Sequence, residues 1–366
     1  MITLPQKNTL QHQTAEILRE QINQGAWKEW LPSERALCEM LQVSQVTVRA
    51  ALRQLRRDGV IAAEDRVGSR IIRRRKNAPR AGNDAALLVC GEFHHLPPSI
   101  ILWVDQLRAM LAARGSRLQL FSGQAYARRN PAPALKKLVR QHPHPCWLLV
   151  SMSRDAQAWF QKNAIPCVVA GSVHEGIDLP GCDVDYRAAC RHAAGVFLRR
   201  GHRRIAMLAK HSRAAGDICS EAGFLEAFAR SGSADALPVV CHYDDTVEGA
   251  AKAVRQLMAR KPAPTALLVL TPFHYLTVIS CLNQLGLSVP RDVSVISRFS
   301  ETFHDYLLPR PAGYIIKTRQ FARTLLRMIT PALNGSLPPA RVHYIMPEFL
   351  EGGTVSSPPA GCGPLL

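Results

Sequence analysis

The sequence predicts a small, mainly α-helical N-terminal domain followed by a larger α/β domain that has two lobes and parallel sheets. Apolar residues recur with helical spacing before residue 60, and short apolar runs alternate with helical segments after residue 84. A stretch of basic residues, proline, glycine and asparagine separates the two regions. With 366 residues, the chain is long enough for a sizeable core in the second domain.

Two short helices joined by a tight turn are predicted between residues 34 and 57. Ser33 stands where an N-cap belongs for a helix from Glu34 to Leu41, and Ser44 does so for the next helix. In that second helix, apolar residues at i, i+4 and i+7 predict a buried stripe of Val48, Leu52 and Leu55. A glycine-containing hairpin follows, so the segment is predicted to be a winged helix-turn-helix.

The second helix presents a row of polar and basic side chains on another face. Gln45, Arg49, Arg53 and Arg57 recur there every four residues. A lone arginine stripe is ordinarily a solvated charged face. Here the stripe coincides with two capping serines, a tight turn and a hairpin, which favours a helix that enters the major groove of DNA.

The segments LPSER and VSQVTVRAALRQLRRDGVI, with the hairpin after them, resemble the winged helix-turn-helix of GntR-type bacterial regulators. The resemblance covers roughly residues 9–75. It implies DNA contacts from the LPSER arginine, the start and middle of the recognition helix, and the wing tip. With Arg53 from the exposed row, the candidate DNA-binding residues are Arg35, Ser44, Gln45, Thr47, Arg49, Arg53 and Gly68.

Two positions depart from that family's pattern. The family usually has a basic residue where this chain has Gln45, and a glycine where it has Arg66. The Gln45 amide can read adenine through a bidentate contact instead. The expected partner is therefore double-stranded operator DNA, while the base sequence of the operator stays open.

The placement of charge supports a nucleic-acid partner. The chain carries 46 basic and 28 acidic residues, net +18. Residues 42–82 hold eleven basic and three acidic residues, net +8, whereas residues 1–41 have a net charge of −1. Clustered cations favour phosphate contacts that release counterions. Residues 83–366 hold 31 basic and 20 acidic residues, an excess that we interpret as unclustered and as a source of solubility and weak long-range attraction to DNA.

Composition also predicts the domain boundaries and the compartment. We expect a winged helix-turn-helix domain at residues 1–76, a linker at 77–84, a two-lobed domain at 85–355 and a flexible tail at 356–366. No apolar run approaches the ~20 residues that span a membrane, and a secretory signal is absent, so we expect a cytoplasmic bacterial protein that is nucleoid-associated when bound to DNA. Ten cysteines without CxxC or zinc-like spacing predict buried thiols, with neither metal nor cofactor.

After residue 84, continuous apolar runs such as AALLV, CWLLV and ALLVL alternate with helical segments. This alternation predicts parallel sheets covered by helices, and a separation of the runs around residues 172–190 predicts two lobes. Ligands in such folds bind at the carboxyl ends of the strands, here between the lobes. Strand-end position gives the candidate effector-binding residues, each with a surface or structural role as its alternative: His94, Ser122, Ser151, Ser172, Asp217, Ser220, His274 and Arg298.

Three segments of the larger domain are similar to LacI-type regulators. They are DVDYRAACRHAAGVFLRRGHRRIAMLAK, GFLEAF and LNQLGLSVPRDVSVIS, and the resemblance spans roughly residues 84–355. It implies a periplasmic-binding-protein-like fold, a dimer and a small effector, often a sugar, between the lobes. Three polar positions depart from the family: Ser220 replaces the effector arginine, Phe273 and His274 lie where Asn-Asp is usual, and Phe299 lies near the position of an acidic residue.

These departures argue against the family's usual mode of sugar binding. Sugar recognition needs several converging hydrogen bonds, because an unpaired buried hydroxyl costs about 1–3 kcal/mol. We therefore expect either a different small molecule or a cleft without a ligand, in a domain that serves dimerisation.

The expected function is a homodimeric transcriptional regulator, a repressor, that binds a palindromic operator. The alternative is a DNA-binding module fused to an aminotransferase-like enzyme, which needs a Schiff-base lysine. After residue 83 seven lysines remain, none in a convincing cofactor setting, and GxGxxG, P-loop and GxSxG patterns are absent. The histidines of HPHP and the His94–His95 pair lack helical spacing and an acidic partner nearby, which favours loop histidines over metal ligands.

Overall fold

The computed structural model describes residues 10–359 except 25, 28, 58–59, 65–67, 72–83, 94–95, 213, 234 and 337–339, and does not describe the side chains of 12, 20, 23, 24, 57, 63 and 64. The chain divides into two compact units, with the division between residues 80 and 81. Arg66, His94 and the side chain of Arg57 lie outside the described residues. The same holds for the predicted linker up to residue 83 and the predicted tail from residue 360.

Where the structure describes it, the N-terminal unit has three helices and a two-stranded antiparallel hairpin. Its elements are α1 (Leu10–Gln24), α2 (Glu34–Leu41), α3 (Gln45–Arg57), β1 (Ile61–Glu64) and β2 (Gly68–Ile71). Their core consists of buried aliphatic side chains, among them Leu18, Leu37, Val48, Leu52 and Leu55. The predicted order of helix, turn, helix and hairpin is confirmed, and so is the apolar stripe on the second helix.

Serine hydroxyls begin both short helices, as predicted. The Ser33 Oγ accepts a hydrogen bond from the Ala36 amide at 3.3 Å, and the Ser44 Oγ accepts one from the Thr47 amide at 3.3 Å. Gln42 ends α2 in the left-handed conformation, with a φ of 52°. Because the caps satisfy amides that have no partner within their helices, local contacts fix the turn between α2 and α3.

The C-terminal unit has two lobes, each with a six-stranded sheet. The strands of lobe 1 are β3 (Ala85–Cys90), β4 (Leu118–Gly123), β5 (Trp147–Val150), β6 (Cys167–Ala170), β7 (Gly181–Val184) and β13 (Val342–Ile345). Its helices are α4 (Pro98–Ala112), α5 (Ala132–Gln141), α6 (Arg154–Lys162) and α11 (Thr318–Leu333), with a 3-10 helix at Gln124–Tyr126. The sheet is parallel throughout, in the order β13-β7-β6-β5-β3-β4.

Lobe 2 repeats this architecture with one antiparallel edge. Its strands are β8 (Arg204–Lys210), β9 (Leu237–Tyr243), β10 (Ala266–Val269), β11 (Ser294–Ser297), β12 (Ala312–Ile315) and β14 (Glu348–Leu350). Its helices are α7 (Tyr186–Arg199), α8 (Ala215–Ser231), α9 (Val247–Met258) and α10 (Pro272–Gln284), with a 3-10 helix at Thr302–Tyr306. The order is β14-β12-β11-β10-β8-β9, and β14 alone of these strands runs antiparallel to its neighbour. The predicted two-lobed fold with parallel sheets is confirmed.

Helices cover both faces of each sheet, because alternate strand residues face opposite layers. In β3, Leu87 and Val89 belong to one buried cluster of lobe 1, and Ala86 and Leu88 belong to the other. Lobe 2 likewise has two buried clusters, one on each side of its sheet. This two-sided burial explains why the strands are continuous apolar runs in the sequence.

The chain passes between the lobes more often than the sequence analysis predicted. Lobe 1 extends through β7, within the expected boundary region, and α7 then begins lobe 2. The later return to lobe 1 was missed: α11 packs Phe321, Leu325 and Ile329 into the lobe 1 core, and β13 pairs with β7. Two helices begin earlier than the sequence pattern predicted: α8 begins at Ala215 instead of Glu221, and α10 begins at Pro272 instead of Thr277.

A glycine permits the close crossing of the first two helices of lobe 2. A Cβ at Gly223 of α8 would lie 2.1 Å from the carbonyl oxygen of Arg187 in α7. No side chain fits at that distance, so the glycine that begins the GFLEAF segment marks a backbone contact between the two helices. This contact sets where the N-terminus of α8 lies relative to the sheet.

The histidines of the HPHP segment have local structural partners. The His144 Nε2 lies 3.0 Å from the Gln119 Oε1, and the His142 ring lies 4.9 Å from the Phe121 ring. Among the described residues, no group of three or more His, Cys, Asp or Glu side chains is arranged to hold a metal ion. None of the helices in this described part of the chain is both long enough and apolar enough to cross a membrane.

Candidate functional site

Helix α3 presents the predicted polar row to solvent. Gln45, Arg49 and Arg53 are exposed, on the side of the helix away from the buried stripe. Val46, in the first turn, is 70 % exposed, although it is a large apolar residue. An exposed valine beside an amide and a guanidinium can contact a thymine methyl group, so this face offers both polar and apolar contacts to base edges.

An acidic residue of α2 orients two side chains of this face. The Glu34 carboxylate accepts a hydrogen bond from the Arg49 Nε at 2.8 Å and one from the Gln45 Nε2 at 3.4 Å. The hydrogen bond from Arg49 holds the pKa of Glu34 below its ordinary value. Sequence reasoning missed Glu34, although it belongs to the LPSER segment itself. A phosphate or base that binds Arg49 must compete with this carboxylate.

Two of the predicted contact residues shape the start of α3. Thr47 is 8 % exposed, and its Oγ1 lies 2.9 Å from the Ser44 Oγ. Its burial favours a role in positioning the helix start over a direct contact with DNA. Ser44 itself is exposed, as the helix cap.

The remaining predicted contacts lie on α2 and on the hairpin. Arg35 is exposed and pairs with Glu39 one turn later, with 3.2 Å between Nε and Oε1. Gly68, at the start of β2, is exposed and has a φ of +132°, a conformation that L side chains rarely adopt. The Arg56 Nη2 donates to the Ser69 Oγ at 3.1 Å and so ties α3 to the hairpin.

In the C-terminal unit, Arg298 is the centre of a buried polar cluster at the end of β11. Its Nη1 donates to the Asp217 Oδ1 and to the Ser220 Oγ, both at 2.7 Å, and its Nε donates to the Leu270 carbonyl at 3.2 Å. The guanidinium carbon lies 5.0 Å from the centre of the Tyr186 ring and 4.8 Å from that of Phe299. The guanidinium that the LacI-type pattern places at position 220 is thus supplied here from β11.

Charge is balanced inside this cluster. Burial is the largest influence and opposes ionisation of Asp217, but the positive charge of Arg298 together with hydrogen bonds from Ser212 and Arg298 holds the pKa of Asp217 below its ordinary value. Asp217 and Arg298 therefore form a buried ion pair. Because its carboxylate and hydroxyl partners are already present, Arg298 does not depend on a ligand for neutralisation.

A second carboxyl group, that of Asp183, lies buried near the carboxyl end of β7 in the lobe 1 sheet. It accepts hydrogen bonds from the Ser172 Oγ at 2.5 Å and from the Val184 amide at 2.8 Å. Burial raises its pKa to about 7. Gly216 brings α8 against this group, since a Cβ there would lie 2.7 Å from the Ser172 Oγ. The sequence analysis named Ser172 and missed Asp183.

His274 belongs to a neighbouring group at the carboxyl end of the lobe 2 sheet. Its Nδ1 lies 3.0 Å from the Tyr243 hydroxyl, and its Nε2 lies 3.7 Å from the Asp245 Oδ1. Burial lowers the pKa of His274, so the imidazole is neutral at pH 7. Asp245 also accepts from the Lys210 ammonium at 2.7 Å. Where the LacI-type pattern usually has Asn-Asp, this chain therefore has a histidine within a packed polar group.

A pair of buried hydrogen bonds also joins the two lobes. The Glu301 carboxylate, after β11 in lobe 2, accepts from the Ser99 amide at 2.9 Å and from the Ser99 hydroxyl at 2.7 Å. Ser99 is in the first turn of α4 in lobe 1, where free amides and the helix dipole favour an anion. Glu301 is 3 % exposed, and burial raises its pKa. Neither residue was singled out in the sequence.

The structure brings together four of the eight predicted effector-binding residues: Ser172, Asp217, Ser220 and Arg298. His274 lies in the neighbouring group with Tyr243. Ser122 and Ser151 are exposed, and within the described residues neither makes a hydrogen bond to the Arg298 cluster. His94 lies outside the described residues.

Both parts of the chain match known families. Residues 10–71 match the family model described as bacterial regulatory proteins, gntR family, and residues 194–355 match that of a periplasmic binding protein-like domain. Both resemblances expected from the sequence are confirmed over these residues.

Individual relatives and solved structures agree with these domains. The HTH-type transcriptional repressor CytR of Escherichia coli (strain K12) is 28 % identical over 142 residues, which are 39 % of this chain and 42 % of that protein. The chain spans about half the length of the curated relatives it matches.

Two solved structures share the fold. A LacI transcriptional regulator from Bacillus cereus subsp. cytotoxis NVH 391-98 superposes with a TM-score of 0.67 at 19 % identity, covering 75 % of this chain and 99 % of its own. A complex of the transcriptional regulator CelR with cellobiose superposes with a TM-score of 0.66 at 21 % identity, covering 86 % and 92 %.

Proposed function

We propose that this chain, which joins a GntR-type helix-turn-helix domain to a periplasmic binding protein-like domain, is a sequence-specific transcriptional repressor. It binds operator DNA in the cytoplasm, at the nucleoid, and a small molecule bound between the lobes of its C-terminal unit controls the affinity. It is not an enzyme. The repressor assignment is supported by the relatives, which include a transcriptional repressor.

The exposed face of α3 carries the proposal. Gln45, Arg49 and Arg53 project from a helix whose start is capped by Ser44 and whose other face is buried. This arrangement holds amide and guanidinium donors rigidly enough to read base edges in a major groove. The concentration of basic residues in 42–82 supplies phosphate contacts beside it.

The proposed assembly is a homodimer, whose two recognition helices would enter successive major grooves of a palindromic operator. An exposed apolar surface of lobe 2 supports a second copy as the partner. Tyr306 and Leu308 are 89 % and 98 % exposed, and Phe273 stacks on Phe303 with 5.3 Å between ring centres. Such a surface is typical of protein interfaces.

The proposed effector is a small molecule that is not held in the usual sugar mode. Cellobiose occupies the solved CelR complex, but here the Arg298 guanidinium is already paired with Asp217 and Ser220. The same internal pairing supports a second candidate, a C-terminal unit that serves dimerisation alone. The two candidates are distinguished by measuring operator affinity with and without metabolites of the pathway encoded beside the bound operator. An effector-binding unit changes the affinity, whereas a unit that only dimerises gives no response.

Retention of genomic DNA tests the proposed function. Purified full-length protein is mixed with sheared genomic fragments at rising salt, and the retained fragments are sequenced. We expect a small set of fragments that share a palindrome and whose retention falls steeply with salt. Uniform recovery of all fragments, or of none, would contradict sequence-specific binding.

The contact of Glu301 with Ser99 gives a prediction about local protection at the start of α4. Glu301→Ala removes both acceptor oxygens, so the Ser99 amide and the Ser99 hydroxyl lose their partner. We expect amides in the first turn of α4 to exchange with solvent about tenfold faster, which corresponds to roughly 1.4 kcal/mol of lost protection. Ser99→Ala should act in the same direction. Glu248→Ala, at the exposed start of α9, is the matched control, and equal exchange in all three variants would show that this contact does not protect the start of α4.

A further inference from the structure

A stretch of lobe 1 contains no acidic residue. Between Asp105 and Asp155 the sequence has nine basic residues and neither aspartate nor glutamate. The interpretation of the C-terminal charge excess as unclustered is therefore wrong for this stretch. All nine are exposed, and five of them follow one another closely in the chain: Arg128, Arg129, Lys136, Lys137 and Arg140. We call these five residues the lobe 1 basic face.

The fold gathers these cations on and before one helix. Leu135 and Leu138 of α5 are buried in the lobe, so Lys136, Lys137 and Arg140 lie on the outer side. Arg128 and Arg129 lie in the turn just before the N-terminus of α5, the end of a helix that itself favours anions. At 1.5 Å per residue, the ten residues of α5 extend over about 15 Å, the length of several phosphates along a DNA strand.

The lobe 1 basic face is not neutralised within the described part of the chain. None of its five side chains forms an ion pair there. Elsewhere in the C-terminal unit, the exposed Arg187 pairs with Glu226, Arg291 with Asp292, and Arg310 with Asp305. The face is therefore available to an external anion.

The chemistry of the face favours a phosphate backbone over a protein partner. Protein interfaces are anchored by apolar and aromatic side chains. From residue 121 to residue 217, no described large hydrophobic residue is exposed. Arginine and lysine without apolar anchors suit a sequence-independent polyanion.

We propose that the lobe 1 basic face binds the phosphodiester backbone of duplex DNA, outside the bases read by α3. The inference rests on the proposed function, because DNA held by the N-terminal unit is present at high local concentration for any second site on the same chain. The face would add affinity and salt dependence without adding sequence preference.

The test compares two full-length variants with equal loss of charge. The first replaces Arg128, Lys136, Lys137 and Arg140 with glutamine. The control replaces Lys252, Arg255, Arg260 and Lys261, which are also two lysines and two arginines, exposed on and after α9 near Asp244, Asp245 and Glu248. Binding to an operator duplex that is several helical turns long, and to a scrambled duplex, is measured as a function of salt. Thermal unfolding checks that both variants are folded.

We expect the first variant to bind both duplexes at least about tenfold more weakly at low salt, with a slope of log affinity against log salt that is shallower by about 2–4. The control should change the slope by less than about one. Equal slopes for the two variants would overturn the inference. It would also be overturned if the two variants differed in their binding to an acidic protein but bound DNA equally. If wild-type protein binds neither duplex, the proposed function itself fails. If it binds the operator but the variants agree, the further inference alone fails.

Discussion

Arg298→Met is expected to lower the free energy of unfolding of the C-terminal unit by about 3–5 kcal/mol. The substitution leaves the Asp217 carboxylate, whose side chain is 15 % exposed, without its 2.7 Å partner. It also leaves the buried Ser220 hydroxyl without its donor. An unpaired buried charge is among the most destabilising single changes, because the desolvation cost remains after the attraction is lost. Urea unfolding followed by circular dichroism measures the loss.

A double variant separates the ion pair from packing. In Arg298→Met with Asp217→Asn, the buried charge is removed together with its partner, so we expect at least half of the lost stability to return. Arg255→Met, an exposed arginine of α9, is the control and should change stability by less than about 0.5 kcal/mol. If Arg298→Met behaves like this control, Arg298 and Asp217 do not form the buried pair described above.

The stability of the C-terminal unit is expected to fall as pH rises from about 4 to 7, because of Asp183. Burial raises the pKa of Asp183 from 3.8 to about 7, while Asp185 raises it slightly and Arg298 and Ser172 oppose the change. Between these two values the unfolded chain has already released the proton that the folded chain still binds. The stabilisation is therefore complete below pH 4 and is lost as pH approaches 7. A shift of this size corresponds to roughly 4 kcal/mol.

Asp183→Asn tests this dependence, since its amide has no proton to release but can still bond with Ser172. We expect the variant to gain stability relative to wild type as pH rises, by up to a few kcal/mol between about pH 4 and pH 7. The measurement is the urea midpoint of both proteins across that range, with exposed Asp178→Asn as the control. If the urea midpoints of wild type and Asp183→Asn change with pH in parallel, the Asp183 carboxyl is ionised in the folded protein across this range, and the prediction is wrong.

Local sequence signals predicted the N-terminal unit well, and the reason is that its features depend on near neighbours. The caps at Ser33 and Ser44 act on amides three residues away. The stripe of Val48, Leu52 and Leu55 needs helical spacing alone. Glu34 was missed because its partner Arg49 lies fifteen residues later, across the turn.

In the C-terminal unit, the sequence predicted strands and helices but not which sheet each one joins. That choice is set by contacts between distant residues, as in the return of α11 and β13 to lobe 1. The contact of Ser99 with Glu301 spans 202 residues. Asp183 escaped notice because the short strand GCDV does not read as a buried apolar run. The group around Arg298 was anticipated in part, since Ser172, Asp217 and Ser220 all follow strands.

The most direct test of the central claim is operator binding by Arg49→Ala. The claim is that the exposed face of α3 reads DNA. Affinity is measured by fluorescence anisotropy at fixed salt, on an operator recovered from the genomic selection and on a scrambled duplex. Arg319→Ala, exposed at the start of α11, is the matched control.

We predict that Arg49→Ala weakens operator binding by about 1–3 kcal/mol, or roughly 5- to 150-fold, with a smaller effect on the scrambled duplex. The control should bind the operator as wild type does. Unchanged operator affinity in Arg49→Ala would contradict the claim, and so would an equal loss on both duplexes.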